Sequence, residues 1–159
     1  MTDTPGGALI IGAAAEEDAE AIAALIRLAF ESQCKLYDDW TLPPMSETAA
    51  SVLDAMRSGT VLVARINGRL VGSVRAAARG DTVDVGRLVV DPAVQGRGVG
   101  RALTLEVERV FANARRFEIF TGHRSEVALG LYESLGYRRF RTASLCPSHD
   151  LVYLEKTRS

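Results

Sequence analysis

Cysteine, charge imbalance and long apolar runs are all scarce in this chain, and each shortage removes a class of function. Only Cys34 and Cys146 occur, far apart and without a CxxC spacing, so neither a disulfide framework nor a cysteine-based zinc site is available. A reducing compartment is expected, with both thiols structural. Nineteen Lys plus Arg face twenty Asp plus Glu, a formal net charge of -1, which offers nucleic acid no whole-protein electrostatic footprint. No apolar run approaches the about 18 residues that would span a bilayer. The opening MTDTPGGALIIGAAAEED lacks the basic start of a signal peptide. The expected setting is the cytoplasm, with no nucleic-acid or membrane partner and no metal. One domain over residues 1–159 is expected, as monomer or homodimer, with loose residues before Ala8. Two common phosphate loops are also missing. GxxxxGK followed by Ser or Thr occurs nowhere, and Gly96-Arg97-Gly98 is followed by Arg101 where a dinucleotide fingerprint needs Gly or Ala.

What is present is an ordinary globular composition, 47% hydrophobic and 25% charged, patterned in segments. Residues 8–12 (ALIIG) read as a short strand, after which the acidic Glu16, Glu17 and Asp18 favour a helix start. Ile22, Leu25, Ile26, Ala29 and Phe30 then share a face of a helix of about four turns. The stretch 31–44, with Tyr37, Trp40 and Pro43-Pro44, reads as an irregular connection. Ser46 is expected to cap a second helix carrying Ala49, Val52, Leu53 and Met56 on one side. From Thr60 the period becomes two. TVLVARI, Asn67-Gly68 and RLVGSVRAA form a hairpin, because Asn-Gly suits the positive-φ positions of a type I′ turn. Arg79-Gly80-Asp81 turns into TVDVGRLVV, the third strand of a meander. A helix with Leu103 and Val107, the strand FEIFTG, a helix capped by Ser125 and running to Leu135, and two last strands complete the order β-α-α-β-β-β-α-β-α-β-β. The fold class is α/β (α+β), a mixed, largely antiparallel sheet flanked by helices.

Between the meander and the third helix lies Gln95-Gly96-Arg97-Gly98-Val99-Gly100-Arg101. Glycines let main-chain N–H groups approach phosphate oxygens at a helix start, and the arginines can add charge-assisted contacts. Read alone, the loop could equally be a flexible turn. The spelling resembles the Q/R-x-x-G-x-G/A motif of the GNAT acetyltransferase superfamily. Ala128, Leu131-Tyr132-Glu133 and Leu135-Gly136-Tyr137 are similar to that superfamily's A-x-x-L-Y-x-x-x-G-F/Y helix and strand. The likeness covers about Thr60 to Phe140. It implies acetyl-CoA as cosubstrate, with Gln95 to Arg101 on its pyrophosphate and main-chain groups of Leu88, Val89 and Val90 on its pantetheine. The resemblance also puts Ser125 on the pantetheine arm; many members place Asn there, so an amide's two-ended bonding is replaced by one hydroxyl.

Transfer of acetyl from a thioester to an amine needs a neutral amine and a proton for the leaving thiolate. The resemblance gives Tyr132 the general-acid position. Asp84 lies where histone-acetylating members carry a glutamate base, and period-two alternation puts it on one strand face with Gly86, Leu88 and Val90. His123 and His149 each stand alone and read as structural. For a small-molecule or peptide amine, Glu31, Tyr37 and Trp40, with Asp38, Asp39 and Glu47 nearby, offer carboxylates and aromatic faces to a cation. The alternative function is a noncatalytic acyl-CoA-binding or regulatory module.

Overall fold

Asn67 and Gly68 both adopt positive φ, 53° and 79°, and so reverse the chain between two strands. In the computed structural model, which describes residues 7–146 and 149–158 (main chain only at 145 and 146), that hairpin lies near one side of a seven-stranded sheet. The expected loose segment falls on residues 1–6, and the Cys146 side chain likewise lies outside the described residues. The strands are β1 (Leu9–Ala13), β2 (Thr60–Ile66), β3 (Arg69–Arg79), β4 (Thr82–Val90), β5 (Arg116–Gly122), β6 (Arg138–Cys146) and β7 (His149–Thr157). Their spatial order is β1-β2-β3-β4-β5-β7-β6, and only the β4–β5 pair is parallel.

Four helices cover the two faces. The pair α1 (Ala19–Tyr37) and α2 (Ala49–Ser58) packs Ile22, Ile26 and Val52 on Val61, Val63 and Val89. On the other face α3 (Val99–Val110) and α4 (Glu126–Ser134) pack Val99, Leu103, Val107 and Leu129 on Leu62, Val74, Val85 and Phe117. The alternation Val61/Val63 against Leu62/Ala64 along β2 is what feeds both cores at once. Helix α3 comes so close to β3 that a Cβ on Gly72 would stand 2.9 Å from Val99 Cγ1.

Three local expectations are corrected. Helix α1 does not stop near Phe30 but runs on to Tyr37, because 31–37 contains neither Gly nor Pro; it ends where Asp38 turns left-handed (φ 52°). Thr48, not Ser46, caps α2: its hydroxyl accepts from Ser51 N–H at 3.2 Å, while Ser46 closes a short 3-10 turn at Pro43–Ser46. The alternation along β4 is broken as well. Ser73 pairs with Val89 and Arg75 with Gly86, so two steps of β3 face three of β4, and Arg87 sits in the bulge at φ 49°. Val83 and Val85 therefore share the α3/α4 face with Leu88 and Val90, and Asp84 shares the opposite face with Gly86 and Val89.

Candidate active site

Strands β4 and β5 pair for four residues only, from Thr82 with Arg116 to Val85 with Ile119. Beyond that point Gly86 to Val90 pairs with β3 alone, and Phe120 to Gly122 with β7 alone. The strands diverge, and the gap becomes a cleft of about 670 Å³ lined by both. Its depth follows from the sheet, since a strand that leaves its neighbour exposes main-chain N–H and C=O groups along the freed edge. Leu88, Val89 and Val90 all line it. The side chains of Leu88 and Val90 join one core and that of Val89 the other, so their main chain is what the cleft meets.

At one mouth of the cleft lies the glycine loop. Asp91 ends β4 and its carboxylate accepts from Ala93 N–H at 2.9 Å, fixing a short turn over Pro92–Val94. Gly96 (φ 84°) and Gly98 (φ 82°) then take left-handed conformations, and Gly98 is the N-cap of α3. A Cβ at either glycine would meet no protein atom within 4 Å, so the space in front of the loop is open. The first hydrogen bond of α3 runs from Ala102 N–H to the Gly98 carbonyl at 3.0 Å, which leaves the N–H groups of Val99, Gly100 and Arg101 for an outside acceptor. Gln95, Gly96, Gly98, Val99, Gly100 and Arg101 line the cleft; Arg97 is exposed and does not. Gly100 also lets α3 and α4 meet, because a Cβ there would stand 3.2 Å from Leu131 Cδ2.

Tyr132 projects from α4 into the same cleft, 5% exposed, with its ring 6.1 Å from that of Tyr137. Gly136 (φ 96°) reverses the chain after α4, and Tyr137 N–H donates to the Tyr132 carbonyl at 3.0 Å. Behind it the Tyr137 hydroxyl donates to Glu108 at 3.0 Å, and Lys156 holds the other oxygen of that carboxylate at 2.8 Å. The Tyr132 hydroxyl has no hydrogen-bond partner among the described residues. Burial pushes its ionisation well above the usual phenol range, so it enters any reaction protonated.

At the other end stand Tyr37, Ser125 and His149. Tyr37 is buried at the last turn of α1, where its hydroxyl accepts from Arg124 N–H at 2.7 Å and lies 3.4 Å from Ser125 Oγ. Ser125 precedes α4 without capping it by its side chain, contrary to expectation: its hydroxyl donates to Gln33 at 2.6 Å. The imidazole of His149 stacks on Tyr37 at 3.9 Å and 8°.

Several sequence-derived candidates fall elsewhere. Asp84 is not among the cleft residues. It is held bidentate by Arg79 at 2.9 and 3.0 Å, on the sheet face away from Leu88 and Val90. Glu31 and Trp40 are exposed and also outside the cleft, so of the acceptor trio only Tyr37 lines it. Extension of α1 is the cause, since it turns position 31 outward and carries 37 inward. Asp39 binds Thr41 within its own turn. Glu47 is 5% exposed and anchors Arg75 at 3.0 and 3.1 Å and Arg87 at 2.9 Å. No Asp or Glu lines the cleft among the described residues; its charged side chains are Arg87 and Arg101. Among those residues there is also no group of three His, Cys, Asp or Glu that could hold a metal, and no helix long and apolar enough to cross a membrane.

Comparison with known proteins places this geometry. Residues 57–139 match a family model described as the acetyltransferase (GNAT) domain. Among solved structures, the chain is similar to the ribosomal-protein-alanine N-acetyltransferase of Brucella melitensis: TM-score 0.76, 20% identity, 94% of this chain and 99% of that one covered. It is similar too to an N-acetyltransferase from Staphylococcus aureus (TM-score 0.77, 17% identity, 94% and 98% covered). A third likeness is the PaiA N-acetyltransferase of Thermoplasma acidophilum in complex with coenzyme A (TM-score 0.75, 15% identity, 95% and 99% covered). At such identities these likenesses are of fold.

Proposed function

The chain belongs to the GNAT acetyltransferase family, and from that premise we propose that it moves the acetyl group of acetyl-CoA directly onto a primary amine. The observation that carries the reading is that the glycine loop and Tyr132 open onto one cleft, made where β4 leaves β5. The N–H groups at the start of α3, with Arg101 and the nearby Arg97, take the pyrophosphate. The freed edge of Leu88, Val89 and Val90 takes the amides of the pantetheine arm, which sets the thioester beside Tyr132. Its hydroxyl donates the proton that the departing thiolate needs. The enzyme works as a single cytoplasmic domain, monomer or homodimer, without metal or nucleic acid. The acceptor is a small-molecule or peptide amine; the Brucella melitensis relative in fold acts on a ribosomal-protein alanine, which keeps the peptide class open.

The test is thermal unfolding with ligand. A ligand bound only by the native state at about 100 times its Kd adds roughly 2.7 kcal/mol, about 5 to 10 °C in Tm for a chain of this size. Acetyl-CoA should reach that shift at hundreds of micromolar, and NAD should give almost none. The reverse ranking would remove acetyl-CoA from the proposal.

One observation favours the noncatalytic reading: the Ser125 hydroxyl is committed to Gln33 and Tyr37 rather than turned free toward the cleft. Thiol release from acetyl-CoA with a panel of amines separates the two readings, since a binding module gives the thermal shift without release.

Asp84 is not the base in this scheme. Its pair with Arg79 is exposed on both sides, 47% and 59%, and exposed pairs contribute little. Asp84→Asn should keep kcat within about twofold of wild type across pH 6 to 9, because a general base accounts for about 10² or more and none is lost here. A loss of tenfold or more at pH 6 would reinstate it.

A further inference from the structure

The acceptor end of the cleft holds a side chain that the packing leaves without a polar partner. His149 is 6% exposed, lines the cleft, and neither Nδ1 nor Nε2 has a hydrogen-bond partner among the described residues. Buried polar atoms are almost always paired, so a cleft-lining ring whose two nitrogens are both buried and unpaired calls for an explanation. The ring is also held in place. Tyr37 stacks flat on one face, and β5 passes so close that a Cβ on Gly122 would stand 2.9 Å from Nε2 and overlap the Tyr37 hydroxyl. Glycine at 122 is thus the residue that admits the pair to the cleft wall.

We propose that His149 is the general base of the transfer, taking a proton from the ammonium group of the acceptor. The assignment rests on the acetyltransferase reading above. The steps balance as follows. A ring nitrogen of His149 removes one of the three ammonium protons, and the freed nitrogen pair bonds to the thioester carbon. The C–S bond breaks, and the thiolate takes the Tyr132 hydroxyl proton. A second proton, from the amine nitrogen now bonded to the acetyl carbon, restores Tyr132, and the third stays on the amide. His149 then releases its proton to solvent, so the net products are amide, thiol and one proton.

The surroundings suit this role. Burial, and after it the His123 ring 6.4 Å away, hold the His149 imidazole below the usual histidine range, while Asp39 and Asp150 oppose the shift without cancelling it. Asp39 follows α1, Asp150 is the next residue of β7, and His123 follows β5. Tyr37 packs on the ring from α1, with the Arg124 guanidinium 5.8 Å from the centre of the Tyr37 ring. His149 is therefore neutral at pH 7, the state a proton acceptor needs.

The experiment is a pH–rate series on the intact protein. The acceptor is the fastest amine from a panel of 2-phenylethylamine, spermidine and an N-terminally blocked lysine peptide, all with alkyl amines that titrate at about pH 10. If an enzyme base removes the proton, wild-type kcat/KM rises through an acid limb below about pH 6.5 and stays flat until the amine itself deprotonates. His149→Gln should be at least a hundredfold slower at pH 7 and gain about tenfold per pH unit, nearing wild type at pH 9.5. A loss of equal size at every pH, or a variant within threefold of wild type at pH 7, overturns the assignment. An unchanged acetyl-CoA thermal shift shows that His149→Gln is folded. Should it not fold, the wild-type profile decides alone: a plateau supports the base, and a tenfold rise per unit from pH 6 to 9.5 overturns it. Turnover without His149 dependence sinks this inference only, whereas a wild-type protein that acetylates none of the panel sinks it together with the proposed function.

Discussion

Tyr132→Phe lowers kcat by at least tenfold and by as much as 10⁴-fold, while acetyl-CoA binding stays within about twofold of wild type. The range is that of general acid assistance, with partial replacement by water at its lower end. The substitution keeps the ring that packs 6.1 Å from Tyr137 and removes only the hydroxyl, which makes no hydrogen bond to the described residues. Fold and binding are thereby separated from chemistry. The raised ionisation of the phenol does not disqualify it as a donor, because burial disfavours both anions: a thiolate leaving into the same cleft is made more basic too. The measurement is single-turnover acetyl transfer at saturating acetyl-CoA, beside a thermal shift. Wild-type kcat where chemistry limits the rate would leave Tyr132 a packing residue.

The largest effect on stability is expected at Glu47. Its carboxylate accepts four side-chain hydrogen bonds, two from Arg75, one from Arg87 and one from Ser51, and its carbonyl accepts one from Arg27. Four residues, from α1, α2, β3 and β4, thus converge on one amino acid. Removing one partner of a buried ion pair leaves an uncompensated charge and costs about 3 to 5 kcal/mol. The arginines keep about a quarter of their exposure, so Glu47→Ala should lose about 3 kcal/mol, the low end of that range. Urea unfolding would read this as a lower midpoint at unchanged slope. Burial alone would raise the carboxyl ionisation, but the bonds from Arg75, Arg87 and Ser51 outweigh it and hold the group below the usual range. A carboxylate depressed in the folded state contributes stability that is complete above its unfolded value, near 4.5, and lost as pH falls through the folded value. Glu47→Gln should flatten that acid limb. An acid profile as steep as wild type would place the sensitivity on other carboxylates.

Where a feature is local, the sequence displays it. Asn67-Gly68 dictates its turn through two positive φ angles, and the glycines of Gln95 to Gly100, read as a turn into a helix start, do turn there, left-handed at 96 and 98. The order of elements along the chain followed from period and turn signals, whereas the spatial order of the strands did not. The position of the β4 bulge was not legible: TVDVGRLVV breaks its alternation at Gly86-Arg87, where the glycine is the expected left-handed residue, whereas the one that turns is Arg87, held there by Glu47 from a distant loop. That single inserted residue removed Asp84 from the face of Leu88. His149 was equally hidden: a lone histidine acquires meaning only when the end of α1 places Tyr37 on its ring and β5 offers a glycine beside it. The reading of 31–44 as irregular erased the helical turn that does so, and it made Glu31 and Trp40 look like partners of Tyr37.

The strand order β5-β7-β6 has a consequence for how the molecule comes into being during synthesis. The meander β2-β3-β4 and helix α3 can assemble as they leave the ribosome, since each pairs with what has just been made. Strand β5 can pair with β4 over four residues only, and β6 has no partner until β7 is made. A nascent chain that has emerged only as far as Cys146 has an open β5 edge, an unpaired β6 and a cleft without His149 or Leu151. Arrival of β7 covers the β5 edge, ties β6 to the sheet and completes the cleft wall together, so a half-made chain holds the glycine loop but never the whole cleft.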